Sequence, residues 1–94
     1  MRVSGPLFAA FCLARPDSES SVSARLGLTV PRAIGPAVDR NRIKRRIREA
    51  FRLHRTELGR QWDIVLNPRR AVLAASFEEI ERALRKVMER CNSR

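Results

Sequence analysis

The sequence is poor in the side chains that a protein catalyst or a metal centre usually needs. Its 94 residues include one histidine and 10 acidic residues. A hydrolytic enzyme that acts alone needs an activated nucleophile or several carboxylates that converge on a metal ion. The acids are instead scattered: residues 17 and 19 lie in a predicted loop, and Glu78, Glu79, Glu81 and Glu89 lie in a predicted helix. His54 lies near the edge of an apolar stripe, which favours a structural role, so we expect no catalytic residue and no metal site in the protein.

Long hydrophobic runs and clusters of cysteines are also lacking. No apolar stretch approaches the roughly twenty residues that a membrane-spanning helix needs, and no clear cleavage site follows the short apolar run at residues 7–13. The two cysteines, Cys12 and Cys91, lie in separate apolar patterns without neighbouring histidines. This pattern predicts two buried thiols in preference to a disulfide or a metal site. Together these absences predict a cytoplasmic protein that does not bind a membrane.

What the sequence has in excess is positive charge. Twenty Lys and Arg residues against 10 Asp and Glu give a formal net charge of +10. A chain of this length is expected to form one domain, residues 1–94, with a single modest core. A domain of such charge is typical of proteins that bind a polyanion, and nucleic acid is the most common one.

Residues 40–52 combine a dense basic run with a helical apolar repeat. Apolar side chains recur at helical spacing, which predicts a helix packed on a core: Ile43, Ile47, Ala50, Phe51 and Leu58. The opposite sector of this helix holds no acid and consists of Asn41, Lys44, Arg45, Arg48, Arg52 and Arg55. Like charges four residues apart destabilise an isolated helix. We therefore interpret this sector as a surface that phosphates neutralise, with an ordinary solvated face as the alternative.

Three segments have the composition of strands. Residues 7–13 are apolar, residues 25–30 alternate in part, and residues 62–66 form a short apolar run that ends at an Asn-Pro pair. Residues 15–21 are polar and predict a turn or loop. We expect the first two strands to form an antiparallel hairpin.

Two helices complete the predicted architecture. Gly35 and Pro36 open the basic helix, with Pro36 in its first turn, and Gly59 is expected to end it in the left-handed conformation. Ser76 and Glu79 form a capping box that begins a last helix with an apolar stripe over residues 77–91. The predicted fold class is α+β, a small single-domain α/β sandwich in the order β-β-α-β-α, with the helices on one face of a small sheet.

The motif within the basic helix resembles a known signature. Residues 34–48 read Ile-Gly-Pro-Ala-Val-Asp-Arg-Asn-Arg-Ile-Lys-Arg-Arg-Ile-Arg. They resemble the bacterial ribonuclease P protein subunit, whose mark is an Arg-Asn-Arg motif preceded by Gly-x-Ala-Val and followed by Lys-Arg. The similarity extends over most of the chain, from about residue 7 to residue 91.

The resemblance implies a function, partners and a fold. It implies a protein that assists a ribozyme in endonucleolytic removal of the 5′ leader from precursor tRNA. The implied partners are the catalytic RNA, which holds the catalytic centre, and the precursor tRNA, and the holoenzyme uses divalent magnesium. The implied fold is ribosomal-protein-like, with a left-handed strand–helix–strand crossover in place of the usual right-handed one.

The resemblance also implies roles for individual residues. The RNA-binding set is Arg40, Asn41, Arg42, Lys44, Arg45 and Arg48, and the basic sector adds Arg52. Phe11 matches a position where an aromatic side chain faces the leader, with a core phenylalanine as the alternative, and Arg32 matches a basic position near the same cleft. Family members normally begin with a helix that forms one wall of this cleft. Because residues 2–6 resemble the stretch just after that helix, we expect it to be missing and the cleft to be incomplete.

Three alternative functions remain open. A non-catalytic RNA-binding protein of the ribosomal-protein type would share the fold and the charge. A DNA-binding protein would need a second helix for a helix-turn-helix or paired half-sites, and the predicted flanking strands fit neither. Binding of the basic helix to an anionic membrane is a third possibility, but its apolar side is better explained as core.

Overall fold

The computed structural model describes residues 1–15, 24–59 and 62–93. Within these ranges the chain forms four strands and two α-helices. The strands are β1 (Arg2–Ser4), β2 (Phe8–Ala14), β3 (Arg25–Leu28) and β4 (Trp62–Pro68), and the helices are α1 (Ala37–His54) and α2 (Phe77–Asn92). Short 3-10 turns occupy Arg32–Ile34, Arg55–Glu57 and Arg70–Leu73. The predicted α+β class is confirmed, and the order of elements is β-β-β-α-β-α. Apart from residue 15, the turn predicted at residues 15–21 lies outside the described residues.

β1 is a strand that the residue pattern does not predict. It has three residues, of which only Val3 is partly buried, and it pairs antiparallel with β2. A strand this short, with one inward side chain, has no alternation that a sequence could reveal. The predicted order therefore lacked its first strand.

The predicted hairpin between the second and third strands is wrong. The sheet order is β1-β2-β4-β3, so β4 lies between β2 and β3. β2 pairs antiparallel with β4, with Phe8 opposite Pro68 and Ala14 opposite Trp62, and β3 runs parallel to β4. Hydrophobic alternation identifies the buried face of a strand but not its neighbour. Ile64 and Leu66 are fully buried, as expected of inward-facing side chains in a strand with neighbours on both sides.

Both helices pack on one face of the sheet. The core combines the inward side chains of β2 and β4 with the apolar sides of the two helices, and its members include Phe8, Ala10, Cys12, Ile43, Ile47, Ile64, Leu66, Ile80, Leu84 and Met88. The opposite side is here named the outer sheet face. Strand register places Arg2 beside Phe11, Phe11 beside Val65, and Ala9 beside Asn67 on that face. Within the described ranges, neither helix combines the length and apolarity that crossing a bilayer requires.

α1 begins just after the predicted first residue, Pro36, and ends earlier than predicted. Pro36 is its N-cap residue. The helix stops at His54 and a 3-10 turn follows, so Leu58 enters the core from outside the helix. The predicted left-handed cap at Gly59 is wrong, because among the described residues only Gly35 has a positive φ. The tighter 3-10 turn has already redirected the chain before Gly59 is reached.

α2 confirms Ser76 as the predicted N-cap residue, with Glu79 as its hydrogen-bond partner. The backbone N–H of Glu79 donates to Ser76 Oγ at 3.1 Å, and the Ser76 hydroxyl donates to the Glu79 carboxylate at 3.3 Å. The first bond satisfies a backbone N–H that a helix N-terminus leaves unpaired, and the second holds the two side chains together. Glu79 therefore has a structural role, as its position in the sequence indicated.

Cys12 and Cys91 form a disulfide, so the prediction of two separate buried thiols is wrong. Cys12 lies on the inward side of β2 and Cys91 in the last turn of α2, with their Cα atoms 6.0 Å apart. Both side chains are buried. The two residues are 79 positions apart in sequence, and only the docking of α2 on the sheet brings them together, which no local pattern can show.

Candidate nucleic-acid interface

Five polar or basic side chains predicted to share one side of α1 do so in the structure. They line an open groove of about 400 Å³ and are here named the α1 basic face: Asn41, Lys44, Arg45, Arg48 and Arg52. The apolar residues of the same helix, Ile43, Ile47, Ala50 and Phe51, are buried. The core therefore fixes the direction in which the charged side chains point. A folded helix with this division presents its cations to the solvent as a rigid stripe.

The prediction that this face holds no acid is wrong. Glu49 lines the same groove, and Arg52 donates to both of its carboxylate oxygens. This hydrogen bond lowers the pKa of Glu49 below its ordinary value and raises that of Arg52. By helical spacing Glu49 lies outside the basic sector. The Arg52 side chain is long enough to contact a residue three positions earlier in the helix. Arg52 is thus partly neutralised, and Glu49 is the one acid among the residues that line this groove.

The other arginines of the basic run do not line this groove. Arg42 is exposed beside it. Arg40 donates through Nε to the carbonyl oxygen of Gly35 at 3.2 Å. Arg46 donates to the carbonyl oxygens of Val72 and Ala75, each at 2.6 Å. Arg40 and Arg46 therefore hold parts of the fold together, Arg40 at the start of α1 and Arg46 between α1 and the segment that leads to α2.

The start of α1 is held by a compact set of contacts. Gly35 has a φ of 155°, a conformation that side-chain-bearing residues rarely adopt. A Cβ at Gly35 would lie 2.7 Å from Arg70 Nη1. Arg70 donates to the carbonyl oxygen of Ile34 at 2.6 Å and lies 3.8 Å from the Asp39 carboxylate. This position requires glycine, and the contacts fix where the α1 basic face begins.

The outer sheet face presents a second surface with basic side chains. Phe11 is half-buried there and does not belong to the core, so the alternative interpretation of Phe11 as a core residue is wrong. The guanidinium carbon of Arg2 lies 6.0 Å from the centre of its ring. Farther along this face is an open groove of about 610 Å³, lined by Arg2, Ala9, Thr29, Pro31, Ile34, Asn67, Pro68, Arg69 and Arg70. Arg32 is exposed in the 3-10 turn next to Ile34.

His54 joins the end of α1 to α2. Its Nδ1 lies 2.5 Å from a Glu57 oxygen and its Nε2 lies 2.6 Å from a Glu81 oxygen. Because both ring nitrogens face carboxylates, only the imidazolium can donate to both. The hydrogen bonds that His54 donates, chiefly to Glu81 and then to Glu57, raise the pKa of His54. Glu57 also accepts from Arg85 at 2.9 Å. The predicted structural role of His54 agrees with these contacts.

The described side chains do not offer a metal-binding cluster. Among residues 1–15, 24–59 and 62–93, no three His, Cys, Asp or Glu side chains come close enough to hold a metal ion. The two carboxylates at His54 lie on opposite sides of its ring, so they do not converge on one point.

A family model described as Ribonuclease P matches residues 2–92 of the sequence. The chain belongs to the ribonuclease P protein family. Similar family members include the ribonuclease P protein component of Desulfosudis oleivorans, 46% identical over 66 residues. That match covers 70% of this chain and 54% of the relative. The component of Exiguobacterium sibiricum is 38% identical over 72 residues, which cover 77% of this chain and 62% of the relative. The matches thus span 54% and 62% of the length of these two curated relatives.

Solved ribonuclease P proteins share the fold. A Staphylococcus aureus RNase P protein, a mutant described as defective in mRNA degradation activity, superposes with a TM-score of 0.80 at 28% identity, over 98% of this chain and 75% of that one. The RNase P protein of Thermotoga maritima superposes with a TM-score of 0.80 at 25% identity, over 96% of this chain and 82% of that one. The α+β architecture is therefore that of the ribonuclease P proteins.

Within this ribonuclease P family chain, the structure groups only some of the residues that the signature implied. Asn41, Lys44, Arg45 and Arg48 share one groove, whereas Arg40 and Arg42 lie outside it. Phe11 lies on the outer sheet face and Arg32 in the neighbouring turn. Three basic residues of the outer groove, Arg2, Arg69 and Arg70, were not predicted. Their only sequence signal is a basic residue beside the end of a strand, which is too common to single them out.

Proposed function

We propose that this chain is the protein subunit of ribonuclease P and that it assists the removal of the 5′ leader from precursor tRNA. Its proposed partners are the catalytic RNA and the precursor tRNA. The observation that carries the proposal is the α1 basic face, because it presents the family signature as a fixed stripe of cations on a packed helix.

The α1 basic face is proposed to bind the catalytic RNA. Lys44, Arg45 and Arg48 are spaced one helical turn or less apart and point away from the core. Contacts of such side chains to phosphates position a protein on RNA without reading its sequence. Asn41 adds an amide that can both donate and accept. Arg52 contributes less, since Glu49 already holds its guanidinium group.

The outer sheet face is proposed to bind the unpaired leader. Phe11 offers an aromatic ring on which a base can stack, and such stacking tolerates any base. Arg2 beside it and Arg32 in the neighbouring turn supply positive charge for phosphates. A surface that stacks bases without selecting them suits a protein that handles many different leaders.

Catalysis is proposed to lie in the RNA partner, with magnesium as the ion of the holoenzyme. The described part of the protein holds no cluster of metal-ligating side chains, so the ion would be held chiefly by RNA. The protein would neutralise phosphate charges of the RNA and would help to position the precursor tRNA. A cytoplasmic location is proposed with this function.

Reconstitution tests the proposal directly. The chain is added to bacterial ribonuclease P RNA and a precursor tRNA at low magnesium, and the rate of leader removal is measured. We expect stimulation by the wild-type chain and by Arg82→Ala/Arg90→Ala, which removes two charges from the exposed side of α2. We expect weak stimulation by Arg45→Ala/Arg48→Ala, which removes two charges from the α1 basic face. RNA binding without stimulation, by this chain and by an N-terminally extended version, would favour the ribosomal-protein-type alternative.

A second arm tests the leader surface. Phe11→Leu removes the aromatic ring but keeps an apolar side chain on the outer sheet face. Because stacking is worth roughly 1–3 kcal/mol per base, the affinity gained from the leader should fall about 5- to 160-fold. The matched control is Leu13→Ala, an exposed residue on the same face of β2. Equal losses in both variants would place the leader elsewhere.

A further inference from the structure

We propose that Cys12 and Cys91 form a reversible thiol–disulfide switch that sets how firmly the end of α2 is held on the sheet. Neither cysteine lines the α1 basic face or the groove of the outer sheet face. The switch is therefore separate from the proposed RNA surfaces and does not depend on the proposed function.

The fold holds the two cysteines within reach of each other whether or not they are bonded. Cys12 is fixed because β2 is hydrogen-bonded on both sides, to β1 and to β4. Cys91 is fixed by the apolar stripe of α2, including Leu84 and Met88, which is buried in the core. Their Cα atoms are 6.0 Å apart, within the range that a disulfide spans. Reduction thus leaves two facing thiols that can pair again.

The bond restrains the last turn of α2, where few other contacts act. Asn92 Nδ2 donates to the Glu57 carbonyl oxygen at 2.6 Å, and Gly59 N–H donates to Asn92 Oδ1 at 3.0 Å. Both hydrogen bonds are exposed to water, and exposed bonds open most readily. With the disulfide broken, the contacts of the last turn to the rest of the domain are these two bonds and the burial of Cys91 and Met88, while Ser93 caps the turn only within α2, at the Glu89 carbonyl oxygen. We therefore expect this turn to fray in the dithiol form.

The chemistry is thiol–disulfide exchange with an external thiol. A thiolate of a dithiol reductant attacks one sulfur, the Cys12–Cys91 bond breaks, and a mixed disulfide forms. The second thiol of the reductant displaces the protein sulfur. Two electrons and two protons remain on Cys12 and Cys91, and the reductant leaves as a cyclic disulfide. A low-molecular-weight disulfide such as glutathione disulfide reverses the reaction and leaves as two thiols.

Burial of both sulfurs makes the opening of α2 part of the exchange. The Cys12 and Cys91 side chains are 3% and 0% exposed, so a reagent reaches them only when the last turn lifts from the sheet. Asn92 and Ser93 beyond Cys91 are exposed, so the last turn can lift without uncovering further core residues among those described. Exchange should accordingly be faster under conditions that loosen α2.

Thiol trapping across glutathione buffers tests whether the pair behaves as a switch. The whole chain is equilibrated at graded ratios of reduced to oxidised glutathione, alkylated and weighed by mass spectrometry. We expect a monomer that passes from two alkylated thiols to none as the buffer becomes more oxidising. Two alkylated thiols at every ratio, or a bond between two chains, would overturn the proposal.

Thermal unfolding and hydrogen exchange test what the bond does. Loss of a native disulfide from a domain of this size should lower Tm on the order of 10–20 °C, and re-oxidation should restore it. Amides in the last turn of α2 should exchange faster in the reduced form than amides in β4. Cys12→Ala should melt at one temperature with and without reductant. Equal Tm values for the trapped oxidised and reduced wild-type chains, or an equal rise in exchange throughout the domain, would contradict the proposal even if the variant fails to fold.

Discussion

At the scale of single residues, neighbouring arginines in this chain have different roles. Arg45 lines the α1 basic face, whereas Arg46 turns to the other side of the helix and bonds two backbone carbonyl oxygens. A step of one residue rotates a side chain by about 100° around a helix, so adjacent identical residues face different surroundings. Charge density alone counts both as RNA-binding candidates.

This difference predicts opposite effects of the same substitution. Arg46→Met removes both hydrogen bonds to Val72 and Ala75 and should lower the free energy of unfolding by about 2–4 kcal/mol, because partly buried hydrogen bonds from a charged group are lost. Arg45→Met should change it by no more than about 0.5 kcal/mol but should weaken RNA binding. Urea denaturation and RNA titration measure the two effects. Equal stability losses would show that the bonds of Arg46 contribute nothing.

The sequence allowed the α1 basic face to be predicted but not the partners of its long side chains. Helical periodicity correctly placed Ile43 and Ile47 inside and Lys44, Arg45 and Arg48 outside, since it depends on backbone geometry alone. The contact between Arg52 and Glu49, and that between Arg46 and Val72, depend on side-chain reach and on tertiary neighbours. Neither contact can be recognised from the periodicity of the sequence.

At the scale of elements, His54 couples the end of α1 to α2. The groups that face it are Glu57 in the 3-10 turn and Glu81 in α2, and Arg85 of α2 binds Glu57 in turn. The raised pKa of His54 means that the imidazolium is more stable in the folded chain than in the unfolded one. The junction between the two helices should therefore respond to pH.

The stability contributed by His54 should disappear at alkaline pH. A raised folded pKa gives a contribution that is complete below the ordinary value of 6.5 and is lost as the pH rises through the folded value. Glu57 has a lowered pKa, chiefly through His54 and then Arg85, so its contribution is complete above its ordinary value of 4.5 and is lost as the pH falls through the folded value.

Comparison with His54→Gln measures this effect. The difference in free energy of unfolding between the wild-type chain and the variant should be largest between about pH 5 and 6 and should shrink as the pH rises. Arg85→Gln serves as a control, since it leaves both carboxylates beside His54 and should keep the alkaline decline. A pH-independent difference between wild type and His54→Gln would mean that the histidine is not charged in the fold.

Elements themselves were easier to predict than their pairing. Both helices and three strands follow from periodicity and from the capping box at Ser76. The sheet order and the Cys12–Cys91 contact depend on how distant elements meet. A sequence pattern indicates which face of each element is buried, but it does not specify which other element packs or pairs with it.

At the scale of the whole molecule, the net charge of +10 predicts RNA binding that depends steeply on salt. If about six phosphates are neutralised, log affinity should fall against log salt with a slope of about −4 to −5, because each contact releases condensed counterions. Arg45→Ala/Arg48→Ala should flatten the slope by about one to two units. Arg82→Ala/Arg90→Ala removes the same charge from α2 and should leave the slope unchanged. Identical slopes for all three proteins would place the RNA away from α1.

The central position of β4 governs how this chain can fold as it is synthesised. β2 and β3 emerge first but do not pair with each other, and the strand that joins them is made only after the whole of α1. Until residues 62–68 leave the ribosome, one edge of β2 and both edges of β3 lack a strand partner, and exposed edges of this kind favour aggregation. The strand order thus makes the nascent chain, rather than the finished domain, the form most in need of protection by a chaperone or by bound RNA.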